Sequence, residues 1–151
     1  MKNKFLLLSI AAIGAISIFS CKDEEETKTS TPSVVGTWEM SKLGVKVYFA
    51  GVKFADTTIL PEAGTSSMAV IKEDKSIMLI DKDGSGSDTT FGTYNITGTK
   101  MVLNLIDPTD GPYTKEYENL SYNATEMTFT GYEPNKTDLN RTEITPTFKR
   151  K

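Results

Sequence analysis

The 151-residue chain has room for one domain; it carries 17 basic against 20 acidic residues, no histidine and a single cysteine. That composition excludes imidazole catalysis, zinc sites of Cys and His, and any internal disulfide. The acidic balance, with no basic aromatic stripe, also sets nucleic acid aside, because phosphate contacts need clustered Lys and Arg.

The first element is an export signal, Met1–Ser20. A short positive start, Met1-Lys-Asn-Lys4, precedes an apolar stretch from Phe5 to Phe19 broken only by small serines. That run is shorter than the ~20 residues a membrane-spanning helix needs. Ile18-Phe-Ser-Cys21 resembles a lipobox, with the bulky Phe19 a departure from the usual pattern. The resemblance implies cleavage before Cys21, a diacylglycerol thioether on its sulfur and acylation of its amine. An ordinary secretory signal with a leftover thiol is the other reading. Cleavage removes Lys2 and Lys4 and no acidic residue, so the mature chain is more acidic still.

Cys21–Ser33 reads as a lipidated flexible tether, charged at first and then rich in Thr, Ser and Pro. Lys22, Asp23, Glu24 and Glu25 resemble the signal that, in one large group of Gram-negative bacteria, sends lipoproteins to the outer face of the outer membrane. The same charges also suit a plain extended spacer, which leaves the periplasmic face of that membrane open.

From Val34 to Lys151 the pattern becomes a series of β-branched and aromatic runs between turn residues. The spacing predicts strands near Thr37–Lys42, Val45–Phe54, Ser67–Lys72, Ser76–Ile80, Thr90–Thr97, Lys100–Ile106, Thr114–Tyr122, Glu126–Gly131 and Arg141–Lys149. Alternation is clearest in Met101, Leu103 and Leu105, in Met127 with Phe129, and in Ile77 with Leu79. Turn chemistry separates the runs at Glu73–Lys75, Asp83–Gly86, Gly98-Thr99, Asp107–Pro112 and Asn123–Thr125. No segment sustains a helical period over three turns. The expected fold is all-β, a small antiparallel up-and-down barrel of eight or nine strands, with an immunoglobulin-like β-sandwich as the alternative.

Gly36-Thr-Trp38, at the start of the first run, matches the Gly-x-Trp motif of lipocalins. Phe91-Gly-Thr-Tyr-Asn-Ile96, Met101–Leu105, Glu126-Met-Thr-Phe129 and a closing Phe148-Lys-Arg150 follow in an order similar to lipocalin-like domains of bacterial surface lipoproteins. The resemblance covers Val34 to Arg150. It implies that Trp38 closes one barrel end beneath a basic side chain of the last strand, Lys149 or Arg150. The chain is shorter than most lipocalins and has no C-terminal helix, which argues against a roomy cavity.

Trp38, Met40, Leu79, Leu103, Tyr117, Met127 and Phe129 are the inward candidates. They either line a site for a small apolar molecule or glycan, or fill the barrel as core. Asp81, Asp83 and Asp88, in a Gly/Ser-rich stretch, form a weak calcium candidate, although the stretch lacks EF-hand spacing and reads equally as a hairpin loop. Thr57 and Thr89, each after an Asp and before a Thr, resemble O-glycosylation acceptors of exported proteins in the same bacterial group. Nothing calls for a cofactor. Carboxylates are the only common acid–base groups left, and none is marked as an opposed pair, so an enzyme is not expected.

These features favour a membrane-tethered binding module. The alternative is a non-catalytic accessory subunit of an outer-membrane assembly, contacting its protein partner through Tyr113, Tyr117, Tyr122 and Tyr132.

Overall fold

Period-two alternation puts the apolar residues of each strand on one side, and a sheet of such strands buries that side by curling onto itself. The computed structural model describes residues 32–151, which form nine strands: β1 Gly36–Phe49, β2 Val52–Ile59, β3 Ser66–Ile71, β4 Ser76–Lys82, β5 Ser87–Thr97, β6 Lys100–Asp107, β7 Gly111–Tyr122, β8 Glu126–Glu133 and β9 Arg141–Arg150. Consecutive strands from β3 to β9 pair antiparallel, and β9 pairs back onto β1 from Trp38↔Arg150 to Tyr48↔Arg141. The other edge of β1 is divided: Gly36–Glu39 meets β3, and Leu43–Phe49 meets β2. An eight-stranded ring thus closes through β1, with β2 as an added ninth strand. The closure through β1 and β9 leaves no second sheet and excludes the sandwich.

The N-terminal strand differs from the sequence expectation. It runs unbroken through Gly44, where the pattern suggests a gap between Lys42 and Val45. The cause is a β-bulge. Met40 faces Phe148 and Lys42 faces Thr147, so Ser41 is the extra residue, and its hydroxyl donates to Thr147 O at 3.0 Å. One extra residue reverses the parity, so Trp38 and Met40 share the inner face with Leu43 rather than with Lys42. The reversal looks like a break to any period-two reading.

The strand expected across Val45–Phe54 instead turns at Ala50 and Gly51, both at positive φ, with Gly51 N–H bonded to Leu139 O at 2.8 Å. A second bulge at Phe54, between the pairs Tyr48↔Lys53 and Val47↔Ala55, leaves that ring 81% exposed. A bulge on an edge strand such as β2 is the kind of irregularity that discourages edge-to-edge pairing.

The core gathers Trp38, Ile71, Met101, Leu105 and Met127, all essentially inaccessible, with Tyr94, Leu103, Leu120, Phe129 and Phe148 around them. Replacing any one of the large side chains by Ala costs ~2–5 kcal/mol at such depth. Among the described residues the buried core runs from Val34 to Phe148, so the compact unit Thr31–Lys151 holds a core of its own.

Candidate functional site

One end of the barrel is sealed by Trp38 and Arg150. The Trp38 ring is fully buried, and its indole N–H, which needs a partner at that depth, donates to Val34 O at 2.7 Å. The Arg150 guanidinium lies 4.2 Å from the ring centre. Its nitrogens donate to Val35 O at 2.8 Å, to Ala124 O at 2.9 Å and to Ser33 O. One side chain therefore ties the N-terminal segment and the β7–β8 turn across the indole face. Gly36 makes room for it: a Cβ there would sit 2.4 Å from Arg150 Nη1, and the φ of +149° suits glycine. Of the two basic residues offered by the last strand, Lys149 is exposed and does not cover the ring.

Beneath this seal the interior holds a cavity of ≈ 200 Å³. Met40, Leu79, Leu103, Tyr117, Met127 and Phe129 line it, so six of the seven inward candidates meet there, while Trp38 belongs to the seal. The volume falls below the ~300–1,000 Å³ of drug-sized pockets and above the ~150 Å³ that admits benzene. The barrel is thus neither packed solid nor roomy.

Tyr117 and Phe129 contact each other with ring centres 4.5 Å apart, and Phe129 stacks on Phe148 at 5.7 Å. Burial raises the Tyr117 phenol above its ordinary pKa. Asp81 is the one exposed residue of the cavity's lining, so the cavity meets solvent on that side. Leu43 and half-buried Ser67 also line it, together with apolar side chains such as Ala69, Ile71, Ile77 and Met101. Leu43 and Ser67 are among the additions to the residues expected from sequence. The Ser41 bulge hides the parity of Leu43; Ser67 shares its face with Ala69 and Ile71, a signal present in the strand pattern.

A lateral cleft of ≈ 440 Å³ opens where β7 and β8 separate beyond the Glu118↔Thr130 pair. Tyr117 and Ile144 line both it and the inner cavity. The Tyr117 ring lies against Gly131, where a Cβ would come within 3.0 Å of it. At the cleft's mouth Lys115 pairs with Glu133 at 3.2 Å, and Lys136 pairs with Glu118. Burial is the largest single influence on Lys115 and pulls its pKa down, but the hydrogen bond to Glu133 and the nearby Tyr117, Glu133 and Tyr113 together outweigh it and leave the net shift upward.

The four tyrosines expected to form one contact patch are dispersed. Tyr117 is inside, Tyr113 and Tyr122 lie toward opposite ends of β7, and Tyr132 sits under the Lys136 ammonium, 5.6 Å from its ring centre. Contiguous exposed apolar surface lies elsewhere. Phe91, Ile106 and Pro112 are register partners across β5, β6 and β7, and all three are exposed. At the β1–β2 hairpin, Phe49 and Phe54 border a groove of ≈ 580 Å³, beside which Arg141 lies 4.1 Å from the ring centre of Tyr48.

Asp81, Asp83 and Asp88 do not converge. Asp83 accepts from the Ser85 hydroxyl at 2.6 Å and from the Ser85 and Gly86 amides at 2.7 and 3.0 Å. Those bonds, the hydroxyl's first, hold its pKa below the usual carboxylate value and turn the group into its own loop. Asp81 and Asp88 face each other across β4 and β5. Among the described residues no three acidic or cysteine side chains gather as a metal site.

Thr57 is exposed on β2, and Thr89 is half-buried on β5. Cys21, Lys22, Asp23, Glu24 and Glu25 lie outside the described residues.

No protein-family model matches the chain. No curated protein matches it either. Among solved structures, a lipocalin-like protein from Bacteroides uniformis is similar over 78% of this chain and 97% of its own, at 15% identity and a TM-score of 0.47. An uncharacterized protein from Bacteroides eggerthii is similar over 79% of this chain and 100% of its own, at 11% identity and a TM-score of 0.46. The barrel itself is a closed eight-stranded antiparallel ring with one added strand, joined between β1 and β9 and sealed by Trp38 and Arg150.

Proposed function

We propose that this chain is an exported lipoprotein, anchored in the outer membrane through Cys21, whose barrel is a non-catalytic carrier or receptor for a small apolar molecule. The observation that carries this reading is the apolar cavity of ≈ 200 Å³ inside a closed barrel. Packed interiors keep few voids larger than a water molecule, and an apolar void of this size gains from any ligand that restores the missing contacts. The lining favours an apolar body over a glycan, which would need more hydrogen-bonding partners than Ser67, Asp81 and the Tyr117 hydroxyl offer. The acidic run after Cys21 supports exposure at the cell surface, with the periplasmic face as the other location.

The test is a thermal melt of the Thr31–Lys151 domain with a panel of one-ring aromatics and short-chain alcohols. A ligand present at 100 times its Kd raises stability by ~2.7 kcal/mol. The shift should vanish when Leu103→Trp fills the cavity. A panel that leaves the melting temperature unmoved would remove the binding reading.

The row Phe91–Ile106–Pro112 and the aromatic rim of the hairpin favour a second reading, an accessory subunit with an outer contact face. Crosslinking on intact cells through residue 91 or 106 would recover a reproducible partner under that reading, and none under the first.

A further inference from the structure

We infer that the ligand of the inner cavity is a small apolar amine, its hydrocarbon body inside and its ammonium at the opening beside Asp81. This rests on the reading of the cavity as a binding site.

Asp81 is the only charged side chain in the lining. It stands on the inner face of β4 two residues beyond Leu79, so the carboxylate ends a column that is otherwise apolar. Across the sheet it is flanked in register by Ser67 on β3 and Asp88 on β5. Two carboxylates directly opposite one another on a strand pair repel.

Among the described residues, the six ion pairs involve neither Asp81 nor Asp88. The adjacent Lys82 is turned to the other face by strand alternation. A cation at the opening would therefore meet two carboxylates that have no ion-pair partner among the described residues, while a carboxylate there would add a third negative charge. A metal ion fits poorly, because the rest of the lining is apolar and would leave most of its coordination positions to water. A primary ammonium has three donors, which suit the Asp81 carboxylate, the Ser67 hydroxyl and a water. The volume limits the body to roughly one substituted ring.

Three probes with nearly the same body separate the possibilities: 2-phenylethylamine, 2-phenylethanol and 3-phenylpropanoate, titrated at pH 7 into the ¹⁵N-labelled Thr31–Lys151 domain and followed by NMR. The expected order is amine tightest and carboxylate weakest, with the amine about fivefold tighter than the alcohol, as befits a partly exposed ion pair. In Asp81→Asn the amine should fall to the affinity of the alcohol, which should itself be unchanged. If the alcohol binds at the cavity residues and the amine gains nothing over it, the amine assignment fails and the cavity remains a binding site. The amine assignment fails in the same way if Asp81→Asn weakens both equally. If none of the three perturbs Leu103 or Met127, the amine assignment and the binding reading fail together.

Discussion

The guanidinium of Arg150 lies 4.2 Å from the ring centre of Trp38, while its nitrogens hydrogen-bond the carbonyls of Val35, Ala124 and Ser33. The two residues are also register partners, Trp38 on β1 and Arg150 on β9, at the seam where the barrel closes. The contact therefore joins the two ends of the described chain as well as capping the core.

Replacing Arg150 by Ala should cost ~2–4 kcal/mol, the sum of a cation–π contact and charge-assisted hydrogen bonds less what water restores. Arg150→Lys should recover little of this, since an ammonium cannot donate to three separated carbonyls while lying flat on the indole. Urea denaturation of the Thr31–Lys151 domain measures both. A loss under about 0.5 kcal/mol in Arg150→Ala, within the range of ordinary surface substitutions, would mean that the barrel end holds together without the seal.

Gly131→Ala should act on the cavity through Tyr117. The new methyl would lie 3.0 Å from Tyr117 Cε1 and 3.1 Å from Ile144 Cγ1, forcing the ring toward the void. A cost of ~1–3 kcal/mol is expected from such overpacking. Binding of apolar probes should weaken at the same time. Unchanged probe affinity in a destabilised variant would show that the ring yields outward into the lateral cleft instead.

Acid should loosen the turns before the core fails. The carboxyls of Asp74, Asp83 and Asp107 are all held below the usual carboxylate range, and the causes are local: the Ser76 hydroxyl, the Ser85 hydroxyl, and the Asp110 and Thr109 amides respectively. A depressed folded-state pKa contributes stability that is present above the unfolded value and lost as pH falls through the folded one. Stability should thus be flat from neutral pH down to about 5 on account of these three groups, then decline below about pH 4. The Asp74→Asn, Asp83→Asn, Asp107→Asn triple variant should show a shallower decline. Denaturant midpoints taken from neutral pH down to about pH 3 give the comparison, and parallel curves would refute the assignment.

Under the lipoprotein reading, Cys21→Ala in the full chain should move the protein from the membrane to the soluble fraction and leave the barrel's melting temperature unchanged, because the core found among the described residues starts at Val34. Several acyl chains hold a protein stably to a membrane, whereas a chain without any has no such hold. Fractionation with a melt of the released protein decides the matter, and a variant still sedimenting with membranes would show that Cys21 is not the anchor.

Much of the barrel is legible as a string of residues, and the reasons can be assigned. Met101, Leu103 and Leu105 alternate without interruption, and β6 pairs as expected, with all three buried. Asp83–Gly86 and Asn123–Thr125 carry side chains that bond their own backbone, so those turns depend on nothing distant. The continuity of β1 is not legible, because a bulge is set by the partner strand: Ser41 is extra only relative to Phe148 and Thr147, more than a hundred residues away. The Ala50-Gly51 turn is hidden because Ala carries no turn preference of its own, and what holds it is contributed by Leu139 and Asn140.

The candidate site divides in the same way. Local order alone indicates which residues point inward, because strand alternation is a property of the backbone and six of those named do line the cavity. Whether they fill the interior or leave a void is a question of summed volumes across eight strands, which no segment contains. Only the tertiary structure decided that the void is ≈ 200 Å³, that Arg150 and not Lys149 covers Trp38, and that Asp81 ends beside the opening while Asp83 folds into its own loop. By itself the sequence determined the strand content, the inward set and the chemistry that is missing, because those follow from composition and near-neighbour geometry. Packing, closure and the position of the one lining charge follow from contacts between residues far apart in the chain.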